Sequence, residues 1–472
     1  MNTEGKTVLG SVPNAENLHV TPDGHWFASG GDGFYQIDPN GATSPQKIPI
    51  AFNARSNPSL ENRAFFCGIT QFQHFVYSTC TPDMKSADSP RYIMLMDLLQ
   101  SPLTMVAIQQ ISARIGRTTG MGIAGNIREH YPPWLLQGIV WLLFIANTIN
   151  IGADLGAMGD ALTLLIGGPS LIYAILFGAF CATLQIFMGY GRYVAVLKWL
   201  TLALFAYFGT ILVVRIPWVE AARGFFIPTL TSDGAFWTTV VAILGTTISP
   251  YLFFWQASQE VEDIRAVAER KPLVKAPKQG PDALERIRID TYFGMAVSNV
   301  VALAIIVTTA ATLHVSGVVD VQTSSQAAEA LRPVAGTFAF ALFALGIIGT
   351  GLLAVPVLAG SAAYAVAEAR RWPLGLARRP KQAKAFYATL TLATMIGVVI
   401  NFSPINPIKA LFWSAVINGM VAVPVMVTMM HMTANPKIMG KFPVHDGLRL
   451  VGWISTGVMA AAAIAMVVTA LI

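Results

Sequence analysis

Two stretches of this sequence have residue types that could handle a cation inside an apolar protein. The first is Gly245-Thr246-Thr247-Ile248-Ser249-Pro250-Tyr251, in which glycine, hydroxyl side chains and proline interrupt an apolar run. A helix that breaks at a proline frees backbone carbonyl oxygens, and these can bind a cation where they face a cavity. The second is Asp154, whose carboxylate lies in an apolar stretch and could balance the charge of a cation or carry a proton.

The composition indicates that lipid surrounds most of the elements that position these residues. The chain has 472 residues, of which 54% are hydrophobic and 12% are charged. A soluble domain carries about 25% charged residues, roughly twice the share found here. The composition therefore excludes a soluble enzyme and intrinsic disorder, and three cysteines are too few for a disulfide scaffold.

Apolar stretches of membrane-crossing length follow one another from about residue 92 to the C-terminus. A helix needs about 20 apolar residues to cross the hydrocarbon layer of a bilayer. The sequence predicts about ten such helices, so we expect an all-α polytopic membrane protein. The predicted spans are 92–112, 134–155, 160–186, 194–214, 236–257, 291–314, 335–366, 385–402, 408–431 and 448–471.

The distribution of basic residues supports this span count and predicts the orientation. One set of alternate loops holds most of the lysines and arginines, including the clusters within 265–288 and 370–384. The opposite set holds only Arg215, Arg223, Arg332 and Lys409. Since cytoplasmic loops are enriched in Lys and Arg, we expect a multi-pass protein of the cell inner (plasma) membrane. The net charge of +6 then belongs to these loops and does not indicate nucleic-acid binding.

Residues 1–91 differ from the rest and are predicted to form a small β-rich segment. The turn signal Pro22-Asp23-Gly24 separates two predicted strands within 19–30, and further strands are predicted at 33–37, 72–79 and 92–96. The pattern weakly resembles one or two blades of a β-propeller, too few to close a ring. We therefore divide the chain into a propeller-like fragment, 1–91, and a transmembrane domain, 92–472.

Three stretches of the transmembrane region are specific enough, in combination, to suggest a family. Gln109–Gly116, followed by Thr119-Gly120, has the pattern of a second helix and loop, and Asn147–Gly156 that of a third helix. The broken stretch 245–251 is similar to a sixth helix that usually carries Met-Pro-His. Together these stretches resemble the Nramp (natural resistance-associated macrophage protein) family of divalent-metal transporters, over roughly residues 98–472.

The resemblance implies a fold and a type of activity. The expected fold is LeuT-like, with five-plus-five inverted repeats and an additional terminal helix. The expected activity is proton-coupled import of divalent metal ions. The metal ion and the proton are then substrates, the lipid bilayer is the surrounding partner, and neither an enzymatic reaction nor a cofactor is expected.

The sequence departs from the family at the first helix. The family carries Asp-Pro-Gly-Asn there, whose Asp and Asn are metal ligands, and this sequence has no such stretch. The β-rich segment occupies its place, and Asp38-Pro39-Asn40-Gly41 has polar flanks typical of a surface turn. We therefore expect a LeuT-like fold that lacks its first helix, and weak or absent metal transport by this chain alone.

The resemblance assigns the residues of the broken stretch to metal or substrate binding. Ser249 stands where the family has Met, Thr246 supplies a carbonyl oxygen, and Tyr251 replaces the family's His. Gly245 and Pro250 form the helix break. A hydroxyl favours harder ions such as Mg²⁺ or Mn²⁺, whereas a thioether favours softer ones. The alternative is a kinked helix whose hydroxyl groups bond back to the freed carbonyls.

Further polar residues inside the predicted spans have either a functional or a structural interpretation. Asp154 matches the family's third-helix Asp, which is associated with proton movement, while the alternative is a structural salt bridge. Asn299 and Asn418 are candidates for polar lining, although packing hydrogen bonds between helices would explain them equally well. Glu260 and Glu262 follow the broken helix, where a solvated helix end is the simplest expectation.

The main functional hypothesis is a secondary transporter of divalent metal ions of the manganese, iron and magnesium class. The abrupt change of composition near residue 92 also permits a fusion or truncated product without transport activity. An amino-acid transporter of the same superfamily remains open as well. The lowest-ranked alternative is a lactonase-like activity of residues 1–91, since one or two blades cannot form a central site.

Overall fold

A computed structural model describes the helical ranges 102–188, 234–309, 324–403 and 407–471, together with six short strands before residue 79. The predicted span 194–214, the predicted strand 92–96 and the turn at 38–41 lie outside the described residues. The chain divides into two compact units, Met1–Asn62 and Arg63–Ile472. The predicted boundary at residue 91 remains a prediction.

The described residues of the first unit form four strands: β1 (Asn17–Val20), β2 (Trp26–Gly30), β3 (Gly33–Ile37) and β4 (Gln46–Lys47). They form one antiparallel sheet in sequence order, with Val20 opposite Trp26 and Gly30 opposite Gly33.

The second unit begins with a two-stranded hairpin, β5 (Ile69–Phe72) and β6 (Phe75–Ser78). Phe72 lies opposite Phe75. The strand predicted over 72–79 contains β6, but its first residue, Phe72, belongs to β5, because the chain reverses direction between the two strands.

The remainder of the described chain is helical. The helices are α1 (Pro102–Thr119), α2 (Ile123–His130), α3 (Pro133–Ile166), α4 (Ser170–Phe187), α5 (Gly234–Thr247), α6 (Pro250–Ala266), α7 (Gly280–Thr309), α8 (Ser324–Arg370), α9 (Lys384–Ile400), α10 (Pro407–Ala434), α11 (Pro436–Met439) and α12 (Asp446–Leu471).

Six stretches of the described residues are long and apolar enough to cross a membrane. They are Pro133–Ile166, Ser170–Phe187, Gly234–Ala266, Ala344–Arg370, Lys409–Ala434 and Asp446–Leu471, and Lys384–Ile400 is a shorter apolar helix. The polytopic membrane architecture predicted from composition is thereby confirmed.

The boundary between the second and third predicted spans was wrong. The sequence placed a loop between residues 155 and 160, but α3 continues through it to Ile166. The helix ends instead at Gly167 and Gly168. Both have positive φ angles (73° and 94°), which residues with a side chain rarely adopt, and Pro169 then precedes α4. Asp160 accordingly lies in a helix, where it accepts a hydrogen bond from the Ser170 hydroxyl (2.6 Å).

The helices of the second unit pack around the broken pair α5–α6. In the apolar part of Gly234–Ala266, 83% of the residues are buried, against 22% in α4 and 28% in α12. The broken pair is therefore central, and α4 and α12 are peripheral. In one group, α6 and α7 both pack against α1. A second group, α4, α8 and α9, packs against α3. α10 contacts both α3 and α5, so it lies between the second group and the break.

Candidate ion site at the broken helix

The central helix is interrupted near its middle. α5 ends at Thr247, α6 begins at Pro250, and Ser249 between them has an extended backbone (φ −89°, ψ 134°). Pro250 has no N–H, so the Thr246 carbonyl cannot receive the hydrogen bond that a continuous helix would provide. The carbonyl end of α5 therefore meets the break, and the partial negative charge of a helix C-terminus favours a cation there.

Gly245 allows α5 to approach α10 backbone to backbone. A Cβ atom on Gly245 would lie 2.5 Å from the Gly419 backbone nitrogen and closer still to the Ala415 carbonyl oxygen. Gly419 makes the reciprocal approach, because its Cβ would lie 2.6 Å from the Val241 carbonyl oxygen. A side chain at either glycine would force the helices apart, so this contact fixes the break beside the middle of α10.

Buried polar side chains near this crossing have atoms without a hydrogen-bond partner in the described part of the chain. These atoms include the Ser249 hydroxyl and both polar side-chain atoms of Asn418, which precedes Gly419. On α3, Asn150 accepts a hydrogen bond from the Ser414 hydroxyl of α10, while its Nδ2 is unpaired. An unsatisfied buried polar group costs about 1–3 kcal/mol, so a ligand that supplies the missing partners would bind favourably.

Asp154 extends this polar surface along α3. It follows Asn150 by four residues, which places both on one helical face, and only 3% of its surface is exposed. Its Oδ2 is unpaired, and Asp154 forms no salt bridge with any Lys, Arg or His that the structure describes. The helix that carries Asp154, α3, contacts both α6 and α4.

The other predicted site residues differ in their surroundings. The Thr246 hydroxyl bonds back to the Ile243 carbonyl (2.7 Å), as expected for hydroxyl groups in a kinked helix, so only its carbonyl is a candidate ligand. Tyr251 is fully buried in the first turn of α6. The Asn299 amide donates to the Met295 carbonyl (2.8 Å) one turn earlier in α7. This bond within one helix favours the structural interpretation of Asn299.

The carboxylates near the C-terminal end of α6 are buried, which contradicts the expectation of a solvated helix end. Glu260 and Glu262 are 5% and 0% exposed. Glu260 pairs with Arg286 of α7 (2.5 Å), and Glu262 pairs with Arg265 (3.0 Å) while accepting the Ala377 N–H (2.9 Å). Burial alone would lower the pKa of Arg286, but Glu260 and Asp263 beside it raise that pKa overall.

Glu368, near the end of α8, is a further buried carboxylate, and sequence reasoning missed it. Its two oxygens accept the N–H groups of Gly122 (2.8 Å) and Gly125 (2.9 Å) at the start of α2. The Arg128 guanidinium also donates to the Glu368 carbonyl oxygen. These partners lie about 240 residues away in the chain, and no local sequence pattern around Glu368 predicts them.

We expect Glu368→Ala to destabilise the protein by about 3 kcal/mol, because two buried N–H groups lose a charged acceptor. The measurement is thermal unfolding of purified protein in detergent. Glu129→Ala is the matched control, since Glu129 is exposed in α2 and its one ion pair with a described residue is with its neighbour Arg128. Equal unfolding temperatures for the two variants would contradict this role of Glu368.

Comparisons with known proteins agree with the resemblance seen in the sequence. The family model of natural resistance-associated macrophage protein-like (Nramp) chains matches residues 81–469. The divalent metal cation transporter MntH of Klebsiella pneumoniae (strain 342) is 26% identical over 379 residues, covering 78% of this chain and 84% of the relative. The MntH protein of Pectobacterium carotovorum (strain PC1) is 26% identical over 393 residues, covering 81% and 87%.

Solved structures agree with the fold. Two mutants of the Eremococcus coleocola manganese transporter superpose with a TM-score of 0.59 at 17% identity, covering 79% of each chain. The same transporter in complex with an aromatic bis-isothiourea compound gives a TM-score of 0.56 at 16% identity. At this level of identity the similarity establishes the fold, and the predicted LeuT-like transporter fold is confirmed.

The family match also favours the membrane-transporter class among the functions considered from the sequence. It extends over most of the chain and begins earlier than the resemblance, at residue 81. Members of this family are membrane carriers for which metal is cargo, so the predictions of no enzymatic activity and no cofactor are confirmed by membership. The chain belongs to the natural resistance-associated macrophage protein-like (Nramp) family of membrane metal transporters.

Proposed function

We propose that this chain is a proton-coupled secondary transporter of divalent metal ions in the cell inner (plasma) membrane. Its ion site lies at the α5–α6 break and uses the Thr246 carbonyl, Ser249 and Asn418, with Tyr251 at its edge. Its similarity to proteins named divalent metal cation transporters supports the substrate class. The unpaired polar atoms of Ser249 and Asn418 beside the α5–α10 contact are the observation that carries the proposal.

Asp154 supplies the negative charge of this site and the proton step. A divalent ion in a low-dielectric interior needs a compensating anion, and the 472 residues contain no Asp-Pro-Gly-Asn stretch to provide one. The other carboxylates found buried among the described residues are Glu260, Glu262 and Glu368. They lie in the last two turns of α6 and α8, at the C-terminal ends of these helices and away from the break.

The ligand set favours hard ions. Every proposed ligand atom is oxygen, and oxygen ligands suit Mg²⁺ and Mn²⁺. We therefore expect Ser249→Met to shift the preference between Cd²⁺ and Mg²⁺ towards Cd²⁺ by about tenfold, because a thioether binds softer ions. Competition of each ion with Mn²⁺ binding measures this shift. Thr183→Met, at an exposed position of α4, serves as the control and should leave the ratio unchanged.

The transport activity itself is tested with purified protein in liposomes. We expect saturable Mn²⁺ uptake that is slower than that of the MntH relatives and increases when the outside is made acidic. The expected slow rate would be contradicted if the chain took up Mn²⁺ as fast as the MntH relatives and if Ser249→Ala abolished that uptake. Ion binding without any uptake would support the alternative of a chain that has lost transport. Saturable amino-acid uptake without Mn²⁺ uptake would overturn the proposal.

A further inference from the structure

The connection between α8 and α9 has an unusual concentration of unpaired positive charge. Its basic residues are all exposed, and none of them forms a salt bridge with a residue that the structure describes. The sequence has no Asp or Glu between Glu368 and Asp446, and the Glu368 carboxylate accepts the N–H groups of Gly122 and Gly125. We call these residues the basic connection: Arg370, Arg371, Arg378, Arg379, Lys381 and Lys384.

Side chains of the surrounding helices hold the backbone of this connection in place. From α6, Arg265 donates to the Leu374 carbonyl (3.1 Å) and Glu262 accepts the Ala377 N–H (2.9 Å). Tyr364 of α8 accepts the Leu376 N–H (3.2 Å). Leu376 itself is buried. The charged side chains therefore project from a backbone with a defined conformation.

The end of α8 places one of these arginines in a conformation that L residues rarely adopt. Arg371 has φ 58° and is the single non-glycine residue with positive φ among the described residues. The Trp372 N–H bonds to the Ala367 carbonyl (2.9 Å), which is the helix-ending arrangement that usually has glycine at this position. An arginine here adds an exposed charge at the position where glycine would be less strained. Trp372 beside it is 38% exposed.

We propose that the basic connection binds the phosphate headgroups of anionic phospholipids in the cytoplasmic leaflet. It joins the ends of two apolar helices, so its side chains lie at the level of the headgroups. Clusters of Lys and Arg at this level attract anionic lipids, and tryptophan is enriched at the same interface. This inference rests on the orientation predicted from loop charge and does not depend on which ion is transported.

The test measures binding of fluorescent phosphatidylglycerol to the full chain in neutral detergent, with phosphatidylcholine as the comparison lipid. We expect phosphatidylglycerol to bind at least tenfold more tightly, and Arg371→Gln with Arg378→Gln to weaken it at least fivefold. Lys437→Gln with Lys441→Gln removes two exposed charges from the loop between α10 and α12 and should change binding less than twofold. Lys381→Gln with Lys384→Gln is a second test pair, used if the first pair alters folding.

Three results would overturn the proposal. The first is equal binding of the two lipids. The second is equal weakening by the test and control pairs, which would indicate a general effect of net charge. The third is full displacement of phosphatidylglycerol by millimolar inorganic phosphate, which would assign the connection to a soluble anion. Ion uptake is not part of this measurement, so failure of the transport proposal remains distinguishable from failure of lipid binding.

Discussion

Replacing Asp154 by Asn is expected to weaken Mn²⁺ binding at least tenfold while leaving the folded protein as stable as before, or more stable. The carboxylate is buried, one of its oxygens is unpaired, and no described cation neutralises it. Such a group costs free energy in the absence of an ion, and a neutral amide of similar size removes most of that cost. A loss of binding together with unchanged or higher stability separates a functional carboxylate from a structural one.

Titration calorimetry gives the ion affinity in this experiment, and thermal unfolding gives the stability. Asp160→Asn is the matched control. Asp160 lies six residues later in α3, and its carboxylate already accepts a hydrogen bond from Ser170 at the start of α4. We expect the control to bind Mn²⁺ as the unmodified protein does. A marked loss of stability in Asp154→Asn would favour a structural role for Asp154. Unchanged binding in that variant would remove it from the ion site.

The second large effect is expected at Gly245, where a single added methyl group should disrupt the break. In Gly245→Ala the new Cβ would overlap backbone atoms of Ala415 and Gly419, and backbone atoms cannot rotate away. We expect a loss of about 2–3 kcal/mol in stability, as for an overpacked core, together with loss of Mn²⁺ binding. Thermal unfolding and calorimetry measure the two effects.

Gly138→Ala, at a glycine of the spanning helix α3, is the matched control for Gly245→Ala and is expected to increase stability. Among the described residues, no atom outside the local backbone of α3 lies within 4 Å of a Cβ built at Gly138, so the change should stabilise α3 by up to about 1 kcal/mol. Ion binding should be unaffected. If both alanine variants had the same unfolding temperature and the same affinity, the close contact between α5 and α10 would not determine the site.

The membrane helices and the interruption near Pro250 could be predicted because lipid constrains sequence strongly. A spanning helix must be apolar over about 20 residues, and a proline inside it must disturb the hydrogen-bond ladder. Helix ends were less predictable. The gap predicted between spans 134–155 and 160–186 lies inside α3, where Gly156 and Gly159 are helical, whereas Gly167 and Gly168 end the helix. Glycine has both roles in membrane proteins, and the sequence alone did not distinguish them.

The surroundings of the site could not be predicted, because they depend on contacts between residues far apart in the chain. Asn150 and Ser414 are 264 residues apart and meet through the packing of α3 against α10. The burial of Glu262 and Glu368 was similarly unpredictable, since the backbone N–H groups that bond to these carboxylates belong to distant segments. A single sequence gives the type of each polar residue but not its partner.

The most direct test of the ion site is a crystal structure with bound Mn²⁺, in which anomalous scattering locates the metal. We predict one anomalous peak at the α5–α6 break, coordinated by the Thr246 carbonyl and by the side chains of Ser249 and Asn418. Crystals of the Asp154→Asn variant, soaked in Mn²⁺ in the same way, should show a much weaker peak at this position. A saturating Mn²⁺ soak with no peak at the break, or with its strongest peak away from these residues, would contradict this account.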